Sequence, residues 1–403
     1  MIHSFSCKNF YSFGELGFLN FVVNENAPQN NGYFKTGSGV RLSKVETVIG
    51  PNASGKTNLL KVLPFLKWMI VDSFNSKPED PVVVQPFAFG DAKKEPTELS
   101  VVFEMDGKIY TYSFTIVQER ILSEKLERTT LVKKKKGTQK VFSREWNFDQ
   151  NRYDFEGENF ELPKGFENLL RSNASVVGSA ARLNHQESQN ITKYWQKIET
   201  NVVEAGWTGD NLLPIKTPQW FEALIFYSKN KELKEEAEKL LSRFDLGLNG
   251  ITFKEQKDKD GLTIKDVQAK HLFNGKEHSL SVIYESSGTK QLFVLLKSIL
   301  AALAGGGIAV IDEFDVNLHP EMVIALFDLF IHPETNPNNA QLLLSTHSHL
   351  LLSKLDKYQI VLVEKNESGM SEGWRLDEVS GVRSDDNYFT KYIAGAYGAV
   401  PKI

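Results

Sequence analysis

Apolar and polar positions change period along this chain, and the changes divide it into blocks. Near the start, Ile2–Phe5 and Leu16–Val23 read as strands, and Asn24–Gly39, rich in Asn, Gly and Ser, reads as a loop. Val45–Ile49 is a short apolar run that leads straight into a glycine loop, and Leu59–Phe74 reads as a helix. Residues 82–145 are largely β in character. Leu99–Glu104 and Lys108–Ile116 alternate about Asp106-Gly107, a strong hairpin-turn signal. Glu119–Val132 and Gln139–Phe142 add strands, with Lys133–Gly137 as the turn between them.

Residues 150–280 carry the weakest pattern. Trp195–Ala205, Trp220–Lys229 and the charged amphipathic stretch Lys231–Phe244 read as helices. Ile251–Asp258 and Leu262–His271 read as returning strands around a turn at Lys259–Gly261. From Ser287 the pattern turns α/β. A helix over Gly288–Leu303 is broken by Gly305–Gly307, and strands at Ile308–Ile311, Gln341–Ser345 and Gln359–Glu364 alternate with a helix at Pro320–Ile331. Such alternation predicts a mostly parallel sheet that presents ligand sites at the carboxyl ends of its strands. The expected organisation is an N-terminal lobe over 1–149 with the glycine loop and an antiparallel β subdomain, a helical insertion with return strands over 150–280, and a C-terminal lobe over 281–403.

Four motifs carry chemistry. Gly50-Pro51-Asn52-Ala53-Ser54-Gly55-Lys56-Thr57, followed by Asn58, fits the phosphate-loop pattern without departure. Its glycines let successive backbone N–H groups face phosphate oxygens, and the helix behind it offers a positive dipole end. Lys56 would neutralise β- and γ-phosphate oxygens, and the Thr57 hydroxyl would coordinate Mg²⁺. Val310-Ile311-Asp312-Glu313 is an apolar strand ending in two carboxylates. Beside a phosphate loop, Asp312 is a candidate Mg²⁺ ligand and Glu313 a candidate general base for water. Thr346-His347-Ser348 ends the next strand, where His347 could reach the γ-phosphate. A strand-end histidine alone is more often structural, but its position after the acidic pair makes it a candidate. Ser286-Ser287-Gly288-Thr289 opens a long helix. A serine and glycine there usually mean only a cap, yet their place before the acidic strand makes them a candidate second anion site.

Composition narrows the alternatives modestly. The net charge of −4 gives no global attraction to nucleic acid, so a DNA contact would need a local basic patch. The one dense cluster, Lys133–Lys136 with Lys140 and Arg144, reads more readily as a solvated hairpin tip. A single cysteine, Cys7, excludes an internal disulfide and fits a reducing compartment. The first residues lack a basic start followed by an apolar core, and the longest apolar run, Leu292 to Ala304, is interrupted by Lys297. A cytoplasmic protein with no membrane contact is expected.

The order of phosphate loop, serine-glycine signature, acidic strand and histidine resembles the ABC-type ATPase heads of the Rad50, SMC and RecF kind. The resemblance implies ATP and Mg²⁺ as ligands, and a homodimer or higher oligomer in which Ser287 and Gly288 of one subunit cap the γ-phosphate held by another. It also implies that Asp315 lies in a loop crossing that interface and that Gln85, in VVVQPFAF, touches Mg²⁺ and the attacking water. Ser286 stands where the common signature has Leu, and Thr289 where it has a second Gly, which points away from transporters. Asn9–Phe13 (NFYSF), ESSGTKQL, DEFDVNLHP, STHS and the tail Arg383-x-Asp385 … Tyr392-x-x-Gly395-x-Tyr397-Gly398-x-x-Pro401 are similar to the compact AbiL/RloA-like, OLD-like and PARIS-type anti-phage ATPases. That likeness implies a sensor or regulatory subunit, a phage-derived trigger and a separately encoded effector such as a nuclease, since no acidic nuclease module is visible by residue 403. A RecF-like repair ATPase that binds DNA, and a scaffold whose ATP is structural, are the competing readings.

Overall fold

The computed structural model describes the chain except residues 133–134, 158, 164, 203–218, 245–246, 259–260 and 402–403. Its centre is a six-stranded sheet in the order Ile198–Thr200, Ile308–Ile311, Gln341–Ser345, Val45–Ile49, Ile360–Lys365 and Ser371–Arg375. Every pairing in it is parallel except the last, where Ser371–Arg375 folds back antiparallel on Ile360–Lys365. The strands Val45–Ile49, Ile308–Ile311 and Gln341–Ser345 are buried along their whole length and mostly apolar, with Glu46, Thr47, Gln341 and Ser345 as buried polar exceptions, as suits a parallel sheet covered on both faces.

Strand alternation sorts the core into two. Val48, Val310, Leu343, Val361 and Val363 face one cluster, shared with the helices after the phosphate loop and with a seven-stranded antiparallel sheet. Val45, Ala309, Ile311, Leu342, Leu344 and Leu362 face the other, built on the helices Ser287–Gly305 and Pro320–Ile331. The seven-stranded sheet runs in the order Arg152–Glu156, Lys135–Asn147, Arg120–Val132, Lys108–Val117, Thr97–Met105, Ile2–Lys8 and Gly17–Asn20. Asp106 and Gly107 make the expected tight turn, both at positive φ (52° and 72°), with Met105 opposite Lys108. The α/β class with an antiparallel β subdomain therefore holds.

One buried ion pair ties this subdomain together. Arg144 Nη2 lies 2.6 Å from Glu124 Oε2, with both side chains fully buried. Arg144 also donates to the carbonyls of Arg171 and Ala174, and Glu124 accepts from the Val176 N–H and the Tyr112 hydroxyl. Two strands and the start of the helix Val176–Arg182 are thus fastened by one network.

Several expectations need correction. Trp195–Ala205 is not a helix where it is described. The helix Gln186–Trp195 ends at Trp195, and Ile198–Thr200 is an edge strand paired parallel with Ile308–Val310. The 150–280 stretch therefore feeds the central sheet as well as supplying helices. Residues 82–96 hold no strand, because pairing begins only at Thr97. The strand Lys135–Asn147 absorbs Lys135–Gly137, which the sequence assigns to a turn, while the rest of that turn lies outside the described residues. The turn expected at Lys259–Gly261 also lies largely outside them, and a third return strand, Lys276–Ser281, completes a small antiparallel sheet. The helix expected over Leu59–Phe74 starts earlier, at Lys56, and ends in π- and 3₁₀-helical turns over Trp68–Asn75. The helix Ser287–Gly305 is long and apolar enough to cross a bilayer, yet Leu292, Phe293, Leu295, Leu296 and Ile299 are spent in the protein's own core.

Candidate nucleotide site

Three of the four motifs meet at the carboxyl ends of neighbouring parallel strands. Val45–Ile49 runs into Gly50, Ile308–Ile311 into Asp312, and Gln341–Ser345 into Thr346. This is where open parallel sheets hold their ligands.

The phosphate loop is shaped by close contacts that exclude side chains. A Cβ at Gly50 would lie 2.0 Å from the Val363 carbonyl oxygen, and one at Gly55 would lie 2.2 Å from Ser371 Oγ. Ala53 and Gly55 take positive φ (61° and 114°), which turns the loop back before the helix Lys56–Leu60. Lys56 is buried, and its Nζ donates to the carbonyls of Gly50 and Pro51, both at 2.8 Å. Burial lowers its pKa, while Asp312, Glu313 and Asp315 pull it back up. The loop and the acidic turn leave the carboxyl ends of two parallel strands that flank Gln341–Ser345. Thr57 and Asn58 are half-buried at the start of the helix, and Pro51, Asn52 and Ala53 form the loop's outer edge.

The acidic turn is held by its neighbour strand. Ser345 Oγ donates to Asp312 Oδ1 at 2.5 Å and accepts from the Glu313 N–H at 2.8 Å. Asn201, just past the edge strand, brackets the Asp312 backbone: its Oδ1 accepts from Asp312 N–H at 2.8 Å and its Nδ2 donates to Asp312 O at 2.9 Å. Glu313 sits at φ 50°, a conformation that costs a non-glycine residue energy and that this bonding sustains. Its side chain is exposed. Asp315 Oδ1 accepts from the Thr346 hydroxyl at 2.7 Å and from the His347 N–H at 3.1 Å, so the loop after the acids is bonded directly to the histidine turn. The His347 side chain is exposed.

Ser287 and Gly288 stand apart from this cluster. Ser286 caps the helix by accepting from the Thr289 N–H, and Ser286 and Ser287 are exposed. A Cβ at Gly288 would lie 2.8 Å from the Asn317 carbonyl oxygen, so the helix start packs on the loop that follows the acidic pair. Among the described residues no hydrogen bond joins Ser287 or Gly288 to the phosphate loop of the same chain. Gln85 is exposed in a non-strand segment, and its carbonyl accepts from the Tyr11 N–H at 2.8 Å. The tail packs elsewhere: Ala399 N–H donates to Glu364 Oε2 at 2.8 Å, Tyr392 donates to the Ala399 carbonyl, and Arg383 pairs with Asp385 in solvent. His319, in the NLHP turn, caps the helix Pro320–Ile331.

The residues fit a magnesium nucleotide. The Ser54 hydroxyl is buried inside the phosphate loop without a protein partner. Mg²⁺ takes one or two protein ligands and completes its shell with phosphate oxygens and water. Thr57 and Asp312 are suited to that role.

Strand order, phosphate loop and acidic strand end together define a P-loop ATPase fold. Residues 47–353 match the family described as AAA domain, putative AbiEii toxin, Type IV TA system, and the chain belongs to that family. No curated protein matches the chain. Among solved structures it is similar to an Smc head domain with an extended coiled coil bound to the C-terminal domain of ScpA from Pyrococcus furiosus, at 14% identity and a TM-score of 0.39, covering 94% of this chain and 97% of that one. It is also similar to an Smc head domain with a coiled coil and joint from Pyrococcus yayanosii, at 13% identity and a TM-score of 0.40, covering 98% and 99%. Both likenesses are distant.

Proposed function

We propose that the chain binds and hydrolyses Mg-ATP, dimerises on ATP, and serves as the sensor or regulatory subunit of a bacterial anti-phage system with a separate effector, such as a nuclease. The observation that carries the ATPase reading is the placement of the phosphate loop and the acidic turn Asp312–Asp315 at the carboxyl ends of strands that flank Gln341–Ser345 in one parallel sheet. Lys56 and the loop N–H groups bind and orient the phosphates. Mg²⁺, when bound through Thr57 and Asp312, supplies positive charge to the β- and γ-oxygens. Glu313 takes the proton of the attacking water. His347, fixed through Asp315, reports whether the γ-phosphate is present. In this reading Gln85 contacts the metal and water from the segment anchored to Tyr11.

The dimer reading rests on the signature. Exposed Ser286 and Ser287 head a helix whose start packs on the loop containing Asp315 and Asn317. In a second copy, that surface would cap the phosphate and transmit its presence through Asp315 to His347. Closure on ATP is then the switch, and hydrolysis resets it. The defence reading draws on the family description and on the tail motif, and a phage-derived trigger acts on the closed state.

The test uses Glu313→Gln, which removes the base but keeps the binding residues. With ATP this variant should accumulate as a dimer in light scattering. A variant that binds ATP and stays monomeric across a range of concentrations contradicts the dimer reading.

A further inference from the structure

Three segments far apart in sequence meet beneath the phosphate loop through a line of side-chain hydroxyls. Asn58 Nδ2 donates to Ser12 Oγ at 2.8 Å, Ser12 Oγ and Ser371 Oγ lie 2.7 Å apart, and Ser371 Oγ donates to the Ser54 carbonyl at 2.6 Å. The Ser371 N–H also donates to the Ser12 carbonyl at 2.8 Å. A hydroxyl has one proton to give. The Ser54 carbonyl can only accept, so the Ser371 proton goes there. Ser12 Oγ is the second acceptor within reach of that hydroxyl, and it also accepts from Asn58. The Ser371 hydroxyl therefore sits between Ser12 Oγ and the loop backbone, with Asn58 and Ser12 fixing its position.

The end of this line matters because a peptide unit is planar and trans. A Ser54 carbonyl held toward Ser371 forces the Gly55 N–H of the same peptide to point the opposite way. Among the described residues no carbonyl accepts from that N–H. Gly55 lacks the Cβ that would strike Ser371 Oγ at 2.2 Å and Ser12 Oγ at 2.8 Å, so the approach depends on glycine. Ser371 and Ser54 are 1% and 2% exposed, so water does not compete for these bonds.

We propose that Ser371, backed by Ser12, is a positioning residue that presets the Gly55 N–H toward the phosphates before nucleotide arrives. This rests on the nucleotide-binding reading of the loop. Ser371 acts on ground-state binding of the phosphates rather than on the chemical step, so its loss changes affinity with little change in turnover.

The experiment measures ADP and ATP dissociation constants and hydrolysis at saturating ATP for the wild type, Ser371→Ala, Ser371→Thr and Ser12→Ala. Loss of one buried bond to the loop should weaken both nucleotides about 10-fold in Ser371→Ala, with saturated turnover within about twofold of wild type. Ser371→Thr, which keeps the hydroxyl, should restore affinity. Ser12→Ala, which removes only the hydroxyl beside Ser371, should cost about threefold. Wild-type affinity in a folded Ser371→Ala, or a loss that Ser371→Thr does not restore, overturns the role. If Ser371→Ala does not fold, Ser12→Ala decides, and unchanged affinity there overturns it. A wild type that binds neither nucleotide overturns the nucleotide reading itself, a different result from equal binding by wild type and variant.

Discussion

Ser345 Oγ donates to Asp312 Oδ1 at 2.5 Å and accepts the N–H of Glu313 at 2.8 Å, so one hydroxyl orients both residues of the acidic pair. Ser345→Ala would free the Asp312 carboxylate and leave the Glu313 N–H without its partner. A hydrogen bond to a charged group contributes about 1.5–3 kcal/mol. Turnover should therefore fall by about 10-fold or more, with ATP affinity within about threefold because Lys56 and the loop are untouched. Steady-state kinetics paired with a binding titration checks this. Weaker binding with unchanged turnover would contradict it.

Stability of the β subdomain depends on a different pair. Arg144→Ala would leave Glu124 buried without its cation, in a site where burial already raises the Glu124 pKa. Removing one partner of a buried ion pair typically costs about 3–5 kcal/mol. Urea unfolding of Arg144→Ala should show a loss of that size, and a loss under about 1 kcal/mol would mean that the pair is dispensable.

Acid should weaken the fold through Glu104. Burial works to raise its pKa, but hydrogen bonds from His3, Ser38 and Thr36 outweigh that and hold it at about 2, below its ordinary 4.5. A depressed carboxyl stabilises the fold above its unfolded value and loses that contribution as pH falls through its folded value. The loss should run from pH 4.5 toward about 2 and amount to about 3 kcal/mol in full. Glu104→Gln should be less stable at neutral pH and lose less between pH 5 and pH 3. Identical acid slopes for both proteins would contradict this assignment.

Much of the site was legible because its motifs are local. Gly50–Thr57, Asp312-Glu313 and Thr346-His347 each sit at a strand end that short apolar runs announce, and the structure has those strands at the same residues. Ile198–Thr200 was not legible. It is three residues long, follows a helix that ends in Trp195, and becomes a strand only by pairing with Ile308–Val310 more than a hundred positions away. Asn201 was missed with it, since its bonds to Asp312 exist only once that edge strand is in register. Ser345 and Ser12 lay inside quoted motifs, STHS and NFYSF, but nothing in their spacing shows which atom a hydroxyl meets. Ser371 has no local signal at all, because its contacts with Ser12 and Ser54 span most of the chain.

In the proposed dimer each nucleotide is enclosed by the phosphate loop of one copy and the signature of another. Two inactive variants test it. Lys56→Ala spoils the phosphate loop but keeps the signature. Ser287→Glu puts a negative charge at an exposed helix start, where it suits the helix dipole yet repels a phosphate. Each variant alone should hydrolyse ATP at less than about a tenth of the wild-type rate. Mixed in equal amounts, they should recover activity, because a mixed pair joins the intact loop of Ser287→Glu to the intact signature of Lys56→Ala. A mixture no more active than the average of its two components would contradict a shared site.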